Sequence, residues 1–225
     1  MIEIAALSDI HGYIDCYEEI YPTVELVIVP GDLCGSDNIE DQEKELPEVI
    51  SKLERIFPAC HELIIVPGNH DYFLEKLWKE EKLMPWINEK VPEPTKVKVL
   101  VDELHEYGSS LRIYGSPRTD LSMAFPGRHR RVDILRIPPD LDILVTHEAP
   151  RYYNLQCVKE YVGRYGNSEP GSKELYERVK KIRPKYHFFG HIHRPCEYTE
   201  DYTKFFNVSQ LNGADWVGNI KFIKI

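Results

Sequence analysis

Five polar motifs along this chain each follow directly after a short run of apolar residues. The motifs are Asp9-Ile10-His11, Gly31-Asp32, Gly68-Asn69-His70-Asp71, His147 and Gly190-His191-Ile192-His193. Short apolar runs bounded by Gly, Pro, Asp or Asn are typical of buried strands in a parallel sheet. Because the carboxyl ends of parallel strands meet at one edge of a sheet, the motifs are expected to converge there.

The first half of the chain alternates strand-like and helix-like segments. Strands are predicted over 2–7, 25–29 and 62–66, and helices over about 13–20, within 39–57 and over 72–79. Pro47 is expected near the N-terminus of the regular part of the second helix. This alternation predicts parallel strands joined by crossover helices, and therefore an α/β fold.

The second half is predicted to hold a loop over 84–96, because this segment contains Pro85, Pro92 and Pro94. Strands are predicted over 97–101, 104–107, 111–114, 142–146, 186–189, 203–208 and 219–225. Ser172 is expected to cap a helix over about 173–183. The chain contains no linker rich in Gly or Ser and no repeat, so a single domain over 1–225 is the simplest organisation.

Composition limits the classes of function. The 225 residues, with 42% hydrophobic and 29% charged side chains, indicate an ordinary soluble globular protein. A formal charge of −9 argues against binding extended nucleic acid or an anionic membrane. The 5 widely spaced cysteines form no C-x-x-C pair, and the first residues lack the pattern of a signal peptide. A cytoplasmic location is therefore expected.

Seven side chains in the motifs suit the binding of two metal ions. They are Asp9, His11, Asp32, Asn69, His147, His191 and His193. Carboxylate, imidazole and amide groups without a thiolate favour Mn²⁺, Fe or Zn²⁺ over Mg²⁺ and Ca²⁺. One six-coordinate ion cannot use seven protein ligands and keep a water, whereas two ions sharing a carboxylate can. The glycines before Asp32, Asn69 and His191 predict sharp chain exits with close backbone approach.

The ordered motifs D-x-H, G-D, G-N-H-D, H and G-H-x-H resemble those of the calcineurin-like metallophosphoesterases, from about residue 3 to residue 209. The resemblance implies a four-layer α/β/β/α sandwich of two mixed β-sheets, with a dinuclear metal site at the strand carboxyl ends. It implies that one ion is held by Asp9, His11, Asp32 and His193, and the other by Asp32, Asn69, His147 and His191. His70 is then the catalytic imidazole beside the leaving group, and Asp71 is its orienting partner.

These roles predict a metal-dependent phosphoesterase that hydrolyses a small phosphodiester or phosphomonoester, such as a nucleotide. A hydroxide bridging two divalent ions, with Mn²⁺ first and Fe or Zn²⁺ as alternatives, would attack phosphorus in line. His70 would protonate the departing alkoxide, and Asp71 would fix the tautomer of its ring. A nuclease with the same centre and a non-enzymatic interaction module are the alternatives, and homo-oligomers remain open.

Looser features resemble one branch of this family, the small phosphodiesterases related to the brain-expressed 239 proteins. These features are Gly115-Ser116-Pro117, His147-Glu148-Ala149-Pro150, Gly171-Ser172 with Leu175, Phe189-Gly190-His191-Ile192-His193 and Phe206-Asn207-Val208-Ser209. Arg118 replaces an aromatic and Glu148-Ala149 replaces a Gly-Pro of that branch, which leaves the substrate preference open. The segments 115–131 and 149–171, with their arginines and tyrosines, are expected to decide which ester enters. A solvated turn is the favoured alternative for the arginines within 126–131, and loop packing or a subunit contact explains the tyrosines at least as well.

Overall fold

Two mixed β-sheets lie at the centre of the protein in a computed structural model, which describes residues 1–108, 111–119, 123–126, 134–151, 171–218 and 220–225. The first sheet contains β1 (Glu3–Ala6), β2 (Leu26–Val29), β3 (Glu62–Ile65), β4 (Val97–Val99) and β13 (Lys221–Lys224), in the order β13-β1-β2-β3-β4. Its strands β1 to β4 are parallel, and β13 pairs antiparallel with β1. The predicted parallel pairing of the first three strands is confirmed.

The second sheet contains β5 (Glu103–Tyr107), β6 (Leu111–Ser116), β7 (Ile143–Thr146), β8 (Tyr186–Phe189), β9 (Cys196–Glu200) and β10 (Thr203–Asn207). The strand order is β5-β6-β7-β8-β10-β9, with β5 and β9 antiparallel to their neighbours at the two edges. A separate hairpin joins β11 (Leu211–Asn212) and β12 (Asp215–Trp216). Both large sheets therefore have a parallel centre, with one antiparallel edge strand in the first sheet and two in the second.

The helices are α1 (Ile39–Ile56), α2 (Tyr72–Lys79), α3 (Leu83–Lys90) and α4 (Lys173–Ile182), with 3₁₀ turns at Tyr13–Cys16 and Pro94–Lys96. Ser172 caps α4 as predicted, since its hydroxyl accepts from the Leu175 N–H at 3.2 Å. Asn38 caps α1 by accepting from the first-turn amides. Among the described residues, no helix combines the length and the apolar character needed to cross a membrane.

Successive side chains along each strand point to opposite faces of the sheet, so each sheet packs on the other sheet with one face and on helices with the other. The result is four layers, two of sheet and two of helix. Ile28 and Ile64 of the first sheet pack against Ile143 and Phe188 of the second, in an apolar core between the sheets. The neighbouring residues on the same strands point outward. Those of the first sheet contact α1, α2 and α3, and those of the second contact α4. The predicted four-layer α/β/β/α sandwich is confirmed.

Three local predictions are wrong for physical reasons. The segment 84–96 forms α3 and a 3₁₀ turn instead of a loop, because Pro85 lies in the first turn of α3, where its missing N–H has no helical partner to lose. Pro47 lies in the interior of α1, since Asn38 starts that helix well before it. The helix expected over 13–20 is only the short 3₁₀ turn Tyr13–Cys16. The arginines at 128, 130 and 131 and the tyrosines at 152, 153, 161 and 165 lie outside the described residues.

Candidate metal centre

The five motifs lie just beyond the carboxyl ends of five parallel strands. Asp9, Asp32 and Asn69 follow β1, β2 and β3 of the first sheet, and His147 and His191 follow β7 and β8 of the second. Backbone hydrogen bonds join neighbouring exits, since Asp9 N donates to Gly31 O at 3.0 Å and Gly190 N to His147 O at 3.2 Å. The centre therefore lies where the edges of both sheets meet.

One group of predicted ligands consists of Asp9, His11 and His193. The Nε2 atoms of His11 and His193 are 3.3 Å apart, and Asp9 Oδ1 is 3.7 Å from His193 Nε2. His193 Nδ1 donates to the Gly213 carbonyl at 3.0 Å, which leaves its Nε2 with a free lone pair. Two imidazole nitrogens that each bind one ion at about 2.1 Å stand roughly 3 Å apart, so this pair fits a shared cation.

A second group consists of Asn69, His147 and His191. Asn69 Oδ1 is 2.8 Å from His147 Nε2 and 2.7 Å from His191 Nδ1. His147 Nδ1 donates to the Pro30 carbonyl at 2.6 Å, so its Nε2 is the nitrogen presented to the centre. The Asn69 amide N–H₂ faces Met123 Sδ at 3.2 Å, which turns the amide oxygen toward the two histidines.

Asp32 lies between the two groups. Its Oδ2 is 3.6 Å from His11 Nε2 in the first group and 3.3 Å from His147 Nε2 in the second. Its Oδ1 accepts from the backbone N–H of His70 at 2.9 Å. One buried carboxylate oxygen thus faces both groups, as a bridging ligand would.

The charges of this buried cluster favour an ionised carboxylate at Asp32. Burial raises the pKa of Asp32, but the charges of His147 and His11 lower it by more, so it lies well below its usual range. Burial likewise lowers the pKa of His147, whereas the Asp32 carboxylate raises it to about 10. The opposite directions of the two pKa shifts follow from the close approach of Asp32 Oδ2 to His147 Nε2 at 3.3 Å.

The backbone is strained at four of the predicted ligands. Asp9, His11, Asp32 and His191 have φ angles of 53°, 44°, 56° and 67°. Such left-handed conformations cost on the order of 1 kcal/mol or more in residues other than glycine and cluster at functional sites. The strain turns each chain sharply at its strand end, which aims consecutive side chains into one centre.

The glycines of the motifs permit this close approach, as predicted. A Cβ at Gly68 would overlap Asp32 Oδ1 and lie 2.7 Å from the Asp32 nitrogen. A Cβ at Gly190 would overlap the Ser8 hydroxyl and lie 2.6 Å from Asp9 Oδ2. Any larger residue at these positions would displace a carboxylate of the centre.

His70 and Asp71 do not form the predicted pair. The Asp71 carboxylate accepts three backbone N–H bonds, from Asp32 at 2.9 Å, Gly68 at 2.7 Å and Leu33 at 3.1 Å. It therefore ties the exits of β2 and β3 together, and the predicted hydrogen bond between Asp71 and the His70 ring is wrong. The side chains of adjacent residues at a sharp turn point in different directions. The adjacency of His70 and Asp71 in the sequence therefore did not indicate a contact between their side chains.

Asp37 is the partner that sequence reasoning missed. Its Oδ1 lies 2.6 Å from His70 Nδ1, and the His70 ring centroid is 5.2 Å from that of His11 at the centre. Asp37 belongs to no recognisable motif, and the loop before α1 brings it to His70. The available signal was the short spacing between Asp32 and the Asn38 helix cap, which keeps this loop beside the centre.

Replacing Asp71 with Asn is expected to lower the free energy of unfolding by about 1–3 kcal/mol. The reason is that in either amide orientation an N–H₂ group faces at least one of the three backbone donors. Urea denaturation of the metal-free protein measures the change. Asp37→Asn is the matched control, because this exposed pair contributes about 1 kcal/mol at most. Unchanged stability of Asp71→Asn would contradict the role of the Asp71 carboxylate in tying the exits of β2 and β3 together.

Two stacked sheets with candidate metal ligands at their strand ends define the class of fold, and the comparisons with known proteins give the family. Residues 2–195 match the family model described as calcineurin-like phosphoesterase. The chain therefore belongs to the calcineurin-like phosphoesterase family, as the resemblance of its motifs predicted.

The chain is also similar to curated proteins and to a solved structure. The chain is 27% identical over 205 residues to a UPF0046 protein of Caenorhabditis elegans, covering 86% of this chain and 69% of that protein. It is 26% identical over 203 residues to a probable rhamnogalacturonate lyase C of Emericella nidulans, covering 86% of this chain but only 17% of that protein. The structure of TT1561 of Thermus thermophilus has a TM-score of 0.61 at 11% identity and covers 98% of this chain and 97% of that one, which shows a common fold.

Proposed function

We propose that this protein is a dinuclear metal-dependent phosphoesterase that hydrolyses a small phosphodiester or phosphomonoester, such as a nucleotide. The observation that carries the proposal is the position of Asp32 Oδ2, which faces nitrogen ligands of both groups at 3.6 and 3.3 Å. In this proposal Asp32 serves both ions. One ion is held by Asp9, His11, Asp32 and His193, and the other by Asp32, Asn69, His147 and His191.

The donor set supports ions that accept both nitrogen and oxygen ligands, and we propose Mn²⁺ first, with Fe or Zn²⁺ as alternatives. Two such ions, when bound, would activate a water and neutralise charge on the phosphoryl oxygens. The residues around them have separate tasks. Backbone carbonyls of Pro30 and Gly213 orient the rings of His147 and His193 so that Nε2 faces inward.

His70 is proposed as the proton donor to the leaving group. Its backbone N–H is bonded to Asp32 Oδ1 at 2.9 Å, which ties its position to that of the bridging carboxylate. Its Nδ1–H donates to Asp37 at 2.6 Å, so a proton for the leaving group would be carried by the other ring nitrogen, Nε2, in the imidazolium form that the Asp37 carboxylate favours. An imidazole held in this way protonates a departing alkoxide near neutral pH.

The cysteines support the cytoplasmic location proposed from the sequence. Among the residues that the structure describes, Cys16, Cys34 and Cys60 are free thiols. Cys34 and Cys60 are buried, and burial raises the pKa of both thiols. Unreactive, unpaired thiols of this kind are usual in a reducing compartment.

Removal and replacement of metal tests the proposed function. The metal-stripped protein is expected to be inactive, and two equivalents of Mn²⁺, Fe²⁺ or Zn²⁺ are expected to restore hydrolysis better than Mg²⁺ does. Titration with each ion, followed by assays on matched phosphomonoesters and phosphodiesters, measures both the stoichiometry and the ester class. Full activity without metal, or saturation by one equivalent, would overturn the dinuclear proposal.

A further inference from the structure

We propose that Gln42, a buried residue in the first part of α1, is a positioning residue for His70, an inference that rests on the proposed function. Gln42 is only 1% exposed and lies on the helix face that packs into the apolar core. A buried amide persists in such surroundings only when its hydrogen-bonding groups find partners. The partners of Gln42 identify what it does.

The Gln42 amide bonds three backbone groups from two chain segments. Its Nε2 donates to the carbonyls of Ser36 and His70, each at 2.6 Å, and its Oε1 accepts from the Phe73 N–H at 2.8 Å. The reversed amide orientation would place an oxygen against two carbonyl oxygens and an N–H₂ against an N–H. The three partners therefore admit a single orientation, and Gln42 acts as a rigid link.

The two segments that Gln42 joins are those that carry the His70 and Asp37 side chains. Ser36 directly precedes Asp37, and the His70 carbonyl belongs to the residue whose ring Asp37 contacts at 2.6 Å. Gln42 holds the two backbones from the buried side, while the two side chains meet on the exposed side. The contacts close a ring through Gln42, Ser36, Asp37 and His70.

The exposed contact between Asp37 and His70 is too weak to hold the His70 ring without the hydrogen bonds of Gln42. The Asp37 side chain is 65% exposed and the His70 side chain 30% exposed, and ion pairs of such exposure contribute little stability on their own. An interaction this weak does not fix the position of a ring. Gln42 can fix it, because its buried side chain makes three short hydrogen bonds to the backbone of Ser36, His70 and Phe73, which are not predicted metal ligands. Its loss should therefore reduce proton donation without removing metal.

The test compares leaving groups in the metal-loaded protein. Gln42→Met removes all three bonds at similar volume, and Gln42→Glu keeps the acceptor for Phe73 while losing the amide donors. Each variant is expected to hydrolyse an alkyl phosphoester about 10–100-fold more slowly than wild type, yet a para-nitrophenyl ester within about 3-fold, because the activated leaving group needs no proton. Bound metal, measured by elemental analysis, is expected to stay at the wild-type level.

Leu46→Ala is the matched control, since Leu46 is buried one helical turn further along α1 and its apolar side chain makes no hydrogen bond to either loop. It is expected to destabilise the protein without changing the ratio of the two rates. Amide exchange at Phe73 is expected to accelerate in Gln42→Met, which is a readout independent of activity. Equal losses on both esters, or the same ratio change in Leu46→Ala, would overturn the role of Gln42. Absence of metal-stimulated hydrolysis in the wild type would instead overturn the proposed function.

Discussion

Asp32→Asn is expected to lower metal-stimulated hydrolysis by about 1,000-fold or more, equivalent to about 4 kcal/mol of transition-state stabilisation. Both carboxylate oxygens of Asp32 act as acceptors, one toward His11 and His147 and the other toward the His70 N–H. The amide of an asparagine at this position must turn its N–H₂ either toward His11 and His147 or toward the His70 N–H. Either orientation removes the shared anionic ligand or releases the backbone of His70.

Metal content decides the interpretation of this variant. Elemental analysis of the purified protein is expected to show less than two bound ions in Asp32→Asn and in His191→Ala. His187→Gln is the matched control, because His187 is a fully buried histidine on β8 that pairs with the Thr146 hydroxyl at 2.8 Å and lies outside the centre. Full metal content and full hydrolysis in either ligand variant would contradict the assignment of the centre.

His70→Ala is expected to keep both ions and to lose most turnover with a poor leaving group. Loss of a general acid costs about 100- to 10,000-fold when the leaving group needs a proton. The same variant is expected to stay within about 10-fold of wild type on a para-nitrophenyl ester, whose leaving group departs as a stable anion. Rates on paired alkyl and aryl esters, each with the metal content determined, measure the difference.

Asp37→Asn is a milder variant to compare with His70→Ala on the same two esters. It leaves the imidazole in place but weakens the acceptor at Nδ1, so a loss in the same direction and of smaller size is expected. An Asp71 variant is expected to affect both esters alike, since Asp71 contacts backbone N–H groups and not the ring. If His70→Ala slowed both esters equally, the imidazole would act on something other than the leaving group.

Strands were predictable wherever an apolar run was bounded by a motif. The run before Gly31-Asp32 became β2, and the run before Gly190 became β8, because residues buried on both faces leave little choice of structure. The stacking of two sheets followed from the family resemblance, and no single run indicates it. Edge strand β9 was missed because Cys196–Glu200 is only half-buried and has no continuous apolar pattern.

The predicted metal ligands converge because each lies within five residues of the end of a buried strand. His70 and Asp71 show the limit of this reasoning. Their partners, Asp37 for the ring and three backbone amides for the carboxylate, depend on how a loop and two strand exits fold over one another. Contacts of this kind are tertiary, and the short spacing between Asp32 and the Asn38 helix cap indicates only that the loop lies near the centre. The role of Gln42 could not be predicted for the same reason, because in the sequence it is a single polar residue on an apolar helix face.

A centre assembled from strand exits of both sheets also has consequences for the order of folding. Asp9 and His193, which meet at 3.7 Å, are separated by most of the chain, so their contact closes a very long loop. Such distant contacts form late, after the local helices and the neighbouring strands. A partly folded chain with only the first sheet has Asp9, Asp32 and Asn69 but neither His147 nor His191 in place. Ions that bind the completed centre thus stabilise only the fully folded protein, in which both sheets are formed. The availability of metal is therefore expected to favour the completion of folding.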